Sequence, residues 1–181
     1  MKKSVKILIV IGVIVLAAGI FINTLIGRRN MLVGMDETVK AAWAQVENQL
    51  QRRFDLIPNL VATVKGYATH EKDLLENVTK ARASVGQAKT VGEKINANNE
   101  LSGFLSRLMV IQENYPNLKA NQNFLALQDQ LEGTENRLSV ERRRYNEEAR
   151  NFNAATRMFL NSFVVSIPVP IKVDCFTLPI L

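Results

Sequence analysis

The residue types that carry most enzyme chemistry are scarce in this chain. Among its 181 residues His70 is the only histidine and Cys175 the only cysteine. A nucleophile needs a base within reach, and a zinc site of the usual kind gathers several His and Cys ligands. One of each satisfies neither requirement. His70 lies between Thr69 and Glu71 at an expected helix start, where an exposed first-turn residue is the simpler reading. Asp and Glu are plentiful, but no spacing singles out a pair for acid/base or metal work. The sequence therefore assigns no catalytic residue, no cofactor and no metal ligand.

What remains are polar and aromatic groups beside expected breaks in helices. Arg52, Arg53 and Asp55 precede Leu56-Ile57-Pro58. They form either a patch offered to a partner or to lipid headgroups, or a solvated face around a structural proline. Asn59, Tyr67 and the Asn114-Tyr115-Pro116 turn present the same choice between ligand contact and turn chemistry. Arg52, Arg53, Asp55, Pro58, Asn59, Tyr67 and Tyr115 are thus the candidate partner-facing set. Arg142, Arg143 and Arg144 suggest an anion site, but Glu147 and Glu148 follow the last two by four residues. Intrahelical pairs worth about 0.2–0.5 kcal/mol each are the simpler account.

The elements that must position these groups begin with residues 7–22, ILIVIGVIVLAAGIFI, which hold no polar side chain. Asn23 and Thr24 interrupt the run before Leu25 and Ile26. Roughly 20 apolar residues are needed to cross the hydrocarbon core, because a helix rises only about 1.5 Å per residue. A signal-peptide core is shorter, at about 7–15 residues, so a retained anchor over 7–26 is expected. The formal charge of +6 belongs mostly to its flanks, since Lys2, Lys3, Lys6, Arg28 and Arg29 carry five charges and no acidic residue precedes Asp36. That distribution argues against nucleic acid, which calls for a basic face on the folded domain. The lysines before the span slightly outweigh the arginines after it, which favours a cytoplasmic N-terminus and an exported C-terminal domain.

The expected organisation is a basic N-terminus (1–6), the anchor (7–26), a juxtamembrane linker (27–35), a helical domain (36–163) and an apolar tail (164–181). The first soluble helix is expected to start at Asp36 as N-cap and to carry the stripe Val39, Trp43, Val46, Leu50, Phe54, Ile57, Val61, Val64 and Ala68. Pro58 falls inside that stripe and predicts a kink or break, costing about 3 kcal/mol if unrelieved. Thr69 is the expected N-cap of a second helix. Thr90 with Glu93 makes a capping box for a third, which Pro116 ends. In the fourth, Phe124, Leu131, Leu138, Tyr145, Phe152 and Phe159 recur every seven residues, as in a long helix packed against neighbours. The fold class is all-α, one transmembrane helix followed by an elongated antiparallel four-helix bundle.

Two long blocks of this sequence, Asn48–Arg82 and Glu113–Asn153, resemble the LemA family of bacterial membrane proteins. The resemblance implies a single-pass membrane protein with a helical-bundle domain, and it implies no reaction. It also implies a short extracellular N-terminus, opposite to the charge count. After Met158 the sequence departs from the family pattern, with Leu160 following Phe159 and an apolar stretch interrupted by Pro168 and Pro170.

The function expected from these features is that of a non-enzymatic interaction or scaffold module of the bacterial envelope. Its partners would be the lipid bilayer, through Ile7–Ile26, and a protein of the envelope. A sensory bundle holding a small ligand between helices is the alternative, and a carboxylate-only hydrolase is the second. A polar pocket between helices would favour the sensory bundle, and two close buried carboxylates the hydrolase.

Overall fold

The computed structural model describes the backbone of residues 3–158 and the side chains of residues 6–158. These residues form α1 (Lys3–Lys65), α2 (Lys72–Gln87), α3 (Val91–Ile111), a 3-10 turn (Gln112–Asn114), α4 (Pro116–Lys119) and α5 (Gln122–Thr156). No strand occurs among the described residues, and the chain is all-α. It divides into two compact units, residues 3–41 with 147–158, and residues 42–146. The apolar tail and Phe159 lie outside the described residues.

In the first unit, α1 contains one stretch long and apolar enough to cross a membrane. Its large aliphatic and aromatic side chains, from Ile7 to Ile22, are each more than half exposed. Such a sleeve is costly in water and matches hydrocarbon, while the helix satisfies its own backbone. The expected start at Asp36 is overturned, because α1 runs without interruption through residues 27–35 and Asp36. No proline occurs there, and extending a formed helix costs far less than nucleating a new one, which outweighs the roughly 1 kcal/mol penalty at Gly27 and Gly34. Asp36 is a mid-helix partner of Lys40 at 2.7 Å. Leu32 is fully buried against Ala155, with Leu25 and Met35 beside them.

The second unit is a helical bundle made from parts of α1 and α5 together with α2, α3 and α4. Ile57, Leu60 and Val64 of α1 meet Leu75, Val78 and Ala81 of α2, Leu101, Leu105 and Leu108 of α3, Leu118 of α4, and Phe124 and Leu131 of α5. Each fully buried large side chain contributes about 1.5–3 kcal/mol. The seven-residue repeat of α5 is buried at Phe124, Leu131, Leu138 and Tyr145 in this unit and at Phe152 in the first.

The helix ends show which capping signals the fold uses. The box at Thr90 forms as expected. Its hydroxyl accepts from the Glu93 N–H at 3.2 Å, and the Glu93 carboxylate accepts from the backbone of Lys89 at 2.8 Å and Thr90 at 3.1 Å. Those backbone donors hold the Glu93 pKa below the usual carboxylate range. A carboxylate with a depressed folded pKa stabilises the fold above its unfolded pKa, and that contribution fades as pH falls through the folded value. Thr90→Ala should cost about 0.5–2 kcal/mol in urea unfolding of the detergent-solubilised chain. Glu93→Gln should remove this carboxylate's share of the acid-side loss. Thr69, by contrast, does not cap α2. Glu71 stands at the N-cap without a side-chain bond to the helix, and α2 begins at Lys72. The turn is closed by backbone bonds instead, from Ala68 N–H to the Val64 carbonyl and from Glu71 N–H to the Ala68 carbonyl. α3 ends at Ile111, earlier than expected, and Pro116 opens α4 at its first position, where its missing N–H is harmless.

Candidate functional site

Within the second unit, the inner face of α1 is set by residues 46, 50, 53, 57, 60 and 64, alternating steps of four and three. Arg53 therefore occupies a seam position, and its side chain is only 7% exposed. Its Nη1 donates to Glu135 Oε2 at 2.6 Å and to Ser102 Oγ at 3.0 Å. The Ser102 hydroxyl donates onward to the Asn98 carbonyl at 2.9 Å, and Asn98 itself is buried. Thr134, one residue before Glu135, is also buried, its hydroxyl bonded to the Leu131 carbonyl at 2.8 Å. A polar layer thus crosses the bundle from α1 through α3 to α5. The apolar core ends on one side of it at Ile57, Leu101 and Leu131.

The charges in this layer are unequal. Loss of solvent lowers the Arg53 pKa, and the Glu135 carboxylate opposes that shift. Arg142, half-buried, is lowered first by loss of solvent, supported by Glu135, and lowered further by the charge of Arg53. Two guanidinium groups therefore draw on one carboxylate. A guanidinium stays protonated in proteins and cannot serve as a base. The Ser102 hydroxyl is engaged at both ends, accepting from Arg53 and donating to the Asn98 carbonyl. The arrangement links α1 to α3 and α5 through side-chain hydrogen bonds.

A second polar contact answers the question raised by Pro58. α1 continues through it without a break. Pro58 has no N–H to donate to the carbonyl of Phe54, four residues earlier. Arg82 of α2 takes that place, donating from Nε to the Phe54 carbonyl at 3.1 Å. Its guanidinium also lies 3.7 Å from the centroid of the Phe54 ring. One arginine thus satisfies the freed carbonyl and covers the adjacent half-buried ring.

The remaining candidates are dispersed. Arg53 is turned into the bundle and buried, because the helical period places it beside Leu50 and Ile57. Arg52 and Asp55 are exposed and line a groove of about 500 Å³ with Asp129 and Arg137 of α5. Asp55 also accepts a bond from Gln51 at 2.9 Å. Pro58 and Asn59 lie on the outer face of α1. At one end of the unit the Tyr67 hydroxyl accepts from Asn121 Nδ2 at 2.9 Å, and Asn121 Oδ1 caps the Phe124 N–H at 3.0 Å. There too the Tyr115 hydroxyl donates to Glu71 at 3.3 Å. Loss of solvent, then the Glu71 charge, hold that phenol above its usual pKa. His70 is exposed. Arg143 and Arg144 are exposed. Among the described residues no group of three or more His, Cys, Asp or Glu is gathered. Sequence reasoning missed Arg82, Asn98, Ser102 and Glu135. Only the seam position of Arg53 and the acceptor freed by Pro58 could have signalled that partners were required.

Comparison with known proteins places this architecture. The chain is 26% identical to magnetosome protein MamQ of Magnetospirillum gryphiswaldense over a 180-residue alignment, covering 85% of this chain and 65% of that protein. It is 27% identical to magnetosome protein MamQ 2 of Paramagnetospirillum magneticum over 178 residues, covering 84% and 65%. Protein LemA of Metamycoplasma hominis is 23% identical over 169 residues, covering 92% of this chain and 74% of the relative. The chain spans just under two thirds of the length of the MamQ relatives. The LemA family model matches residues 42–178, which include the whole bundle unit and most of the chain. With an apolar helix suited to a bilayer ahead of that bundle, this membrane-associated helical protein belongs to the LemA family.

Proposed function

We propose that the protein is a membrane-tethered scaffold of the bacterial envelope, whose anchor holds a preformed bundle near the bilayer while the bundle's outer faces engage another protein. The observation that carries this reading is where the polar side chains are used. Arg53, Arg82, Tyr67 and Tyr115 each bond to a neighbouring helix or connection, so the groups best suited to chemistry define a fixed shape. A rigid outer surface is what a docking platform needs, because little ordering entropy is lost when a partner binds. On this reading the bundle acts by position and catalyses nothing. The charge asymmetry around the anchor supports a cytoplasmic N-terminus with the bundle outside.

Photo-crosslinking in intact cells tests the scaffold role. A benzophenone side chain placed at exposed Arg52, Thr79, Arg107 or Arg143 should give a discrete protein adduct from at least one face. A well-expressed bundle that gives no adduct from any face is not a scaffold. Orientation is tested by replacing exposed Asp73 with Cys in a Cys175→Ser chain. Labelling of intact cells by a membrane-impermeant maleimide is the expected result, and labelling only after lysis would reverse the topology.

A further inference from the structure

The last turns of α1 and the first half of α2 enclose a groove of about 500 Å³ that no polar network uses. Its floor is apolar, formed by Val61, Ala68 and Leu75, with Ala68 and Leu75 themselves buried. Its rim carries three exposed lysines, Lys65, Lys72 and Lys80, against a single acidic residue, Glu76. Lys72 reaches Glu76 only at 3.9 Å, with its side chain 81% exposed, so that pair holds neither group firmly. Lys65 and Lys80 are in no ion pair among the described residues. Among the described residues nothing covers this apolar strip, and net positive charge flanks it.

Spacing decides between occupants. Lys72 and Lys80 are eight residues apart on one helix, which separates them by about 12 Å along its axis at 1.5 Å per residue. Lys65 stands across the groove on α1. Three cations spread along a trough offer positive charge over its whole length, which a single carboxylate or phosphate headgroup would use at one point only. They do match a helix lying along the trough, with apolar side chains at i, i+3, i+4 and i+7 on the floor and carboxylates on its flanks. The side chains of the chain's own residues 159–181 include one lysine and one aspartate, which cancel.

We propose that this groove docks an acidic amphipathic helix of a partner protein, which names the partner's chemistry and rests on the scaffold reading above. Docking adds one helix against α1 and α2, burying the floor and pairing the lysines. Attraction of this kind weakens with salt, because the rim is solvent-exposed.

The test uses the full chain in nanodiscs of zwitterionic lipid, with empty nanodiscs as the blank. Fluorescence anisotropy follows a labelled three-turn peptide with leucines at i, i+3, i+4 and i+7 and glutamates on both flanks. A second peptide carries lysine in place of every glutamate. The acidic peptide should bind and the basic one should not, with affinity falling as salt rises. Lys72→Glu/Lys80→Glu should weaken binding at least tenfold, and Thr79→Trp, which fills the groove from an exposed position, should do likewise. Arg107→Glu, on the outer face of α3, should leave it unchanged. Absence of binding overturns the proposal, including the case in which residues 159–181 already fill the groove. So does binding that ignores the lysines, or binding of oleate in place of the peptide. In cells, adducts from α3 or α5 but none from Thr79 overturn the groove and leave the scaffold reading standing. Adducts from no face at all remove the scaffold reading and this partner with it.

Discussion

Glu135→Ala should lower the stability of the bundle by about 3 kcal/mol, while Arg53→Leu should change it by less than about 1.5 kcal/mol. The asymmetry follows from burial. The Arg53 side chain is 7% exposed, whereas that of Glu135 is 44% exposed. Removing the carboxylate strands a buried guanidinium, and breaking a buried pair in that way costs about 3–5 kcal/mol. Partial hydration of the Glu135 side places the expected value at the low end. The loss also exposes Arg53 and Arg142 to each other's charge without the carboxylate that supports both. Removing Arg53 instead leaves a carboxylate that water reaches and Arg142 still supports, and leucine extends the apolar seam between Leu50 and Ile57. The double variant Arg53→Leu/Glu135→Ala should therefore recover most of what Glu135→Ala loses. Urea unfolding of the detergent-solubilised chain, followed by far-ultraviolet circular dichroism, measures all three. If Arg53→Leu proves the more damaging change, the polar layer is a net source of stability and burial does not set the asymmetry.

Why natural selection would place a charged layer in an otherwise apolar seam has a physical answer that the same variants address. Apolar seams with a seven-residue repeat tolerate sliding by one repeat, because Leu131 and Leu138 present similar surfaces. A charge pair at Arg53 and Glu135, tied to Ser102, is satisfied in one register only. Arg53→Leu should then keep the stability and broaden the set of packings, seen as less dispersed methyl resonances.

The repeats of α5 and the capping box at Thr90 were legible because each rests on spacing within one segment. The apolar span at 7–22 was legible for the same reason. The continuity of α1 was not, because Asp36 and Glu37 look like a helix start and only the helical propagation through residues 27–35 decides against it. The candidate site was legible in outline alone. Arg52, Arg53 and Asp55 were grouped by adjacency, yet the helical period sends Arg53 inward and leaves its neighbours outside. Its partners, Ser102 and Glu135, lie 49 and 82 residues away. Nothing local to either marks it as the partner of a buried arginine. Arg82, 28 residues from Phe54, is hidden in the same way.

That last contact gives the sharpest test of long-range pairing in this fold. Arg82→Ala should cost about 2–3 kcal/mol, combining an unsatisfied carbonyl at about 1–3 kcal/mol with a lost cation–π contact of about 0.5–2 kcal/mol. The first part exists only because Pro58 cannot donate to Phe54. In a Pro58→Ala chain the helix supplies that N–H itself, so the same Arg82→Ala change should cost only about 1 kcal/mol, the share due to the ring contact. The double-mutant cycle therefore predicts a coupling of about 1–2 kcal/mol between residues 58 and 82 through the carbonyl of Phe54, a group belonging to neither. Arg82→Lys should fall between the two, since an ammonium keeps the charge over the ring but lacks the planar group that donates from Nε while stacking. Zero coupling in urea unfolding would mean that water satisfies Phe54 when Arg82 is gone. The proline would then be tolerated by solvent exposure alone, and Arg82 would serve chiefly to cover the ring.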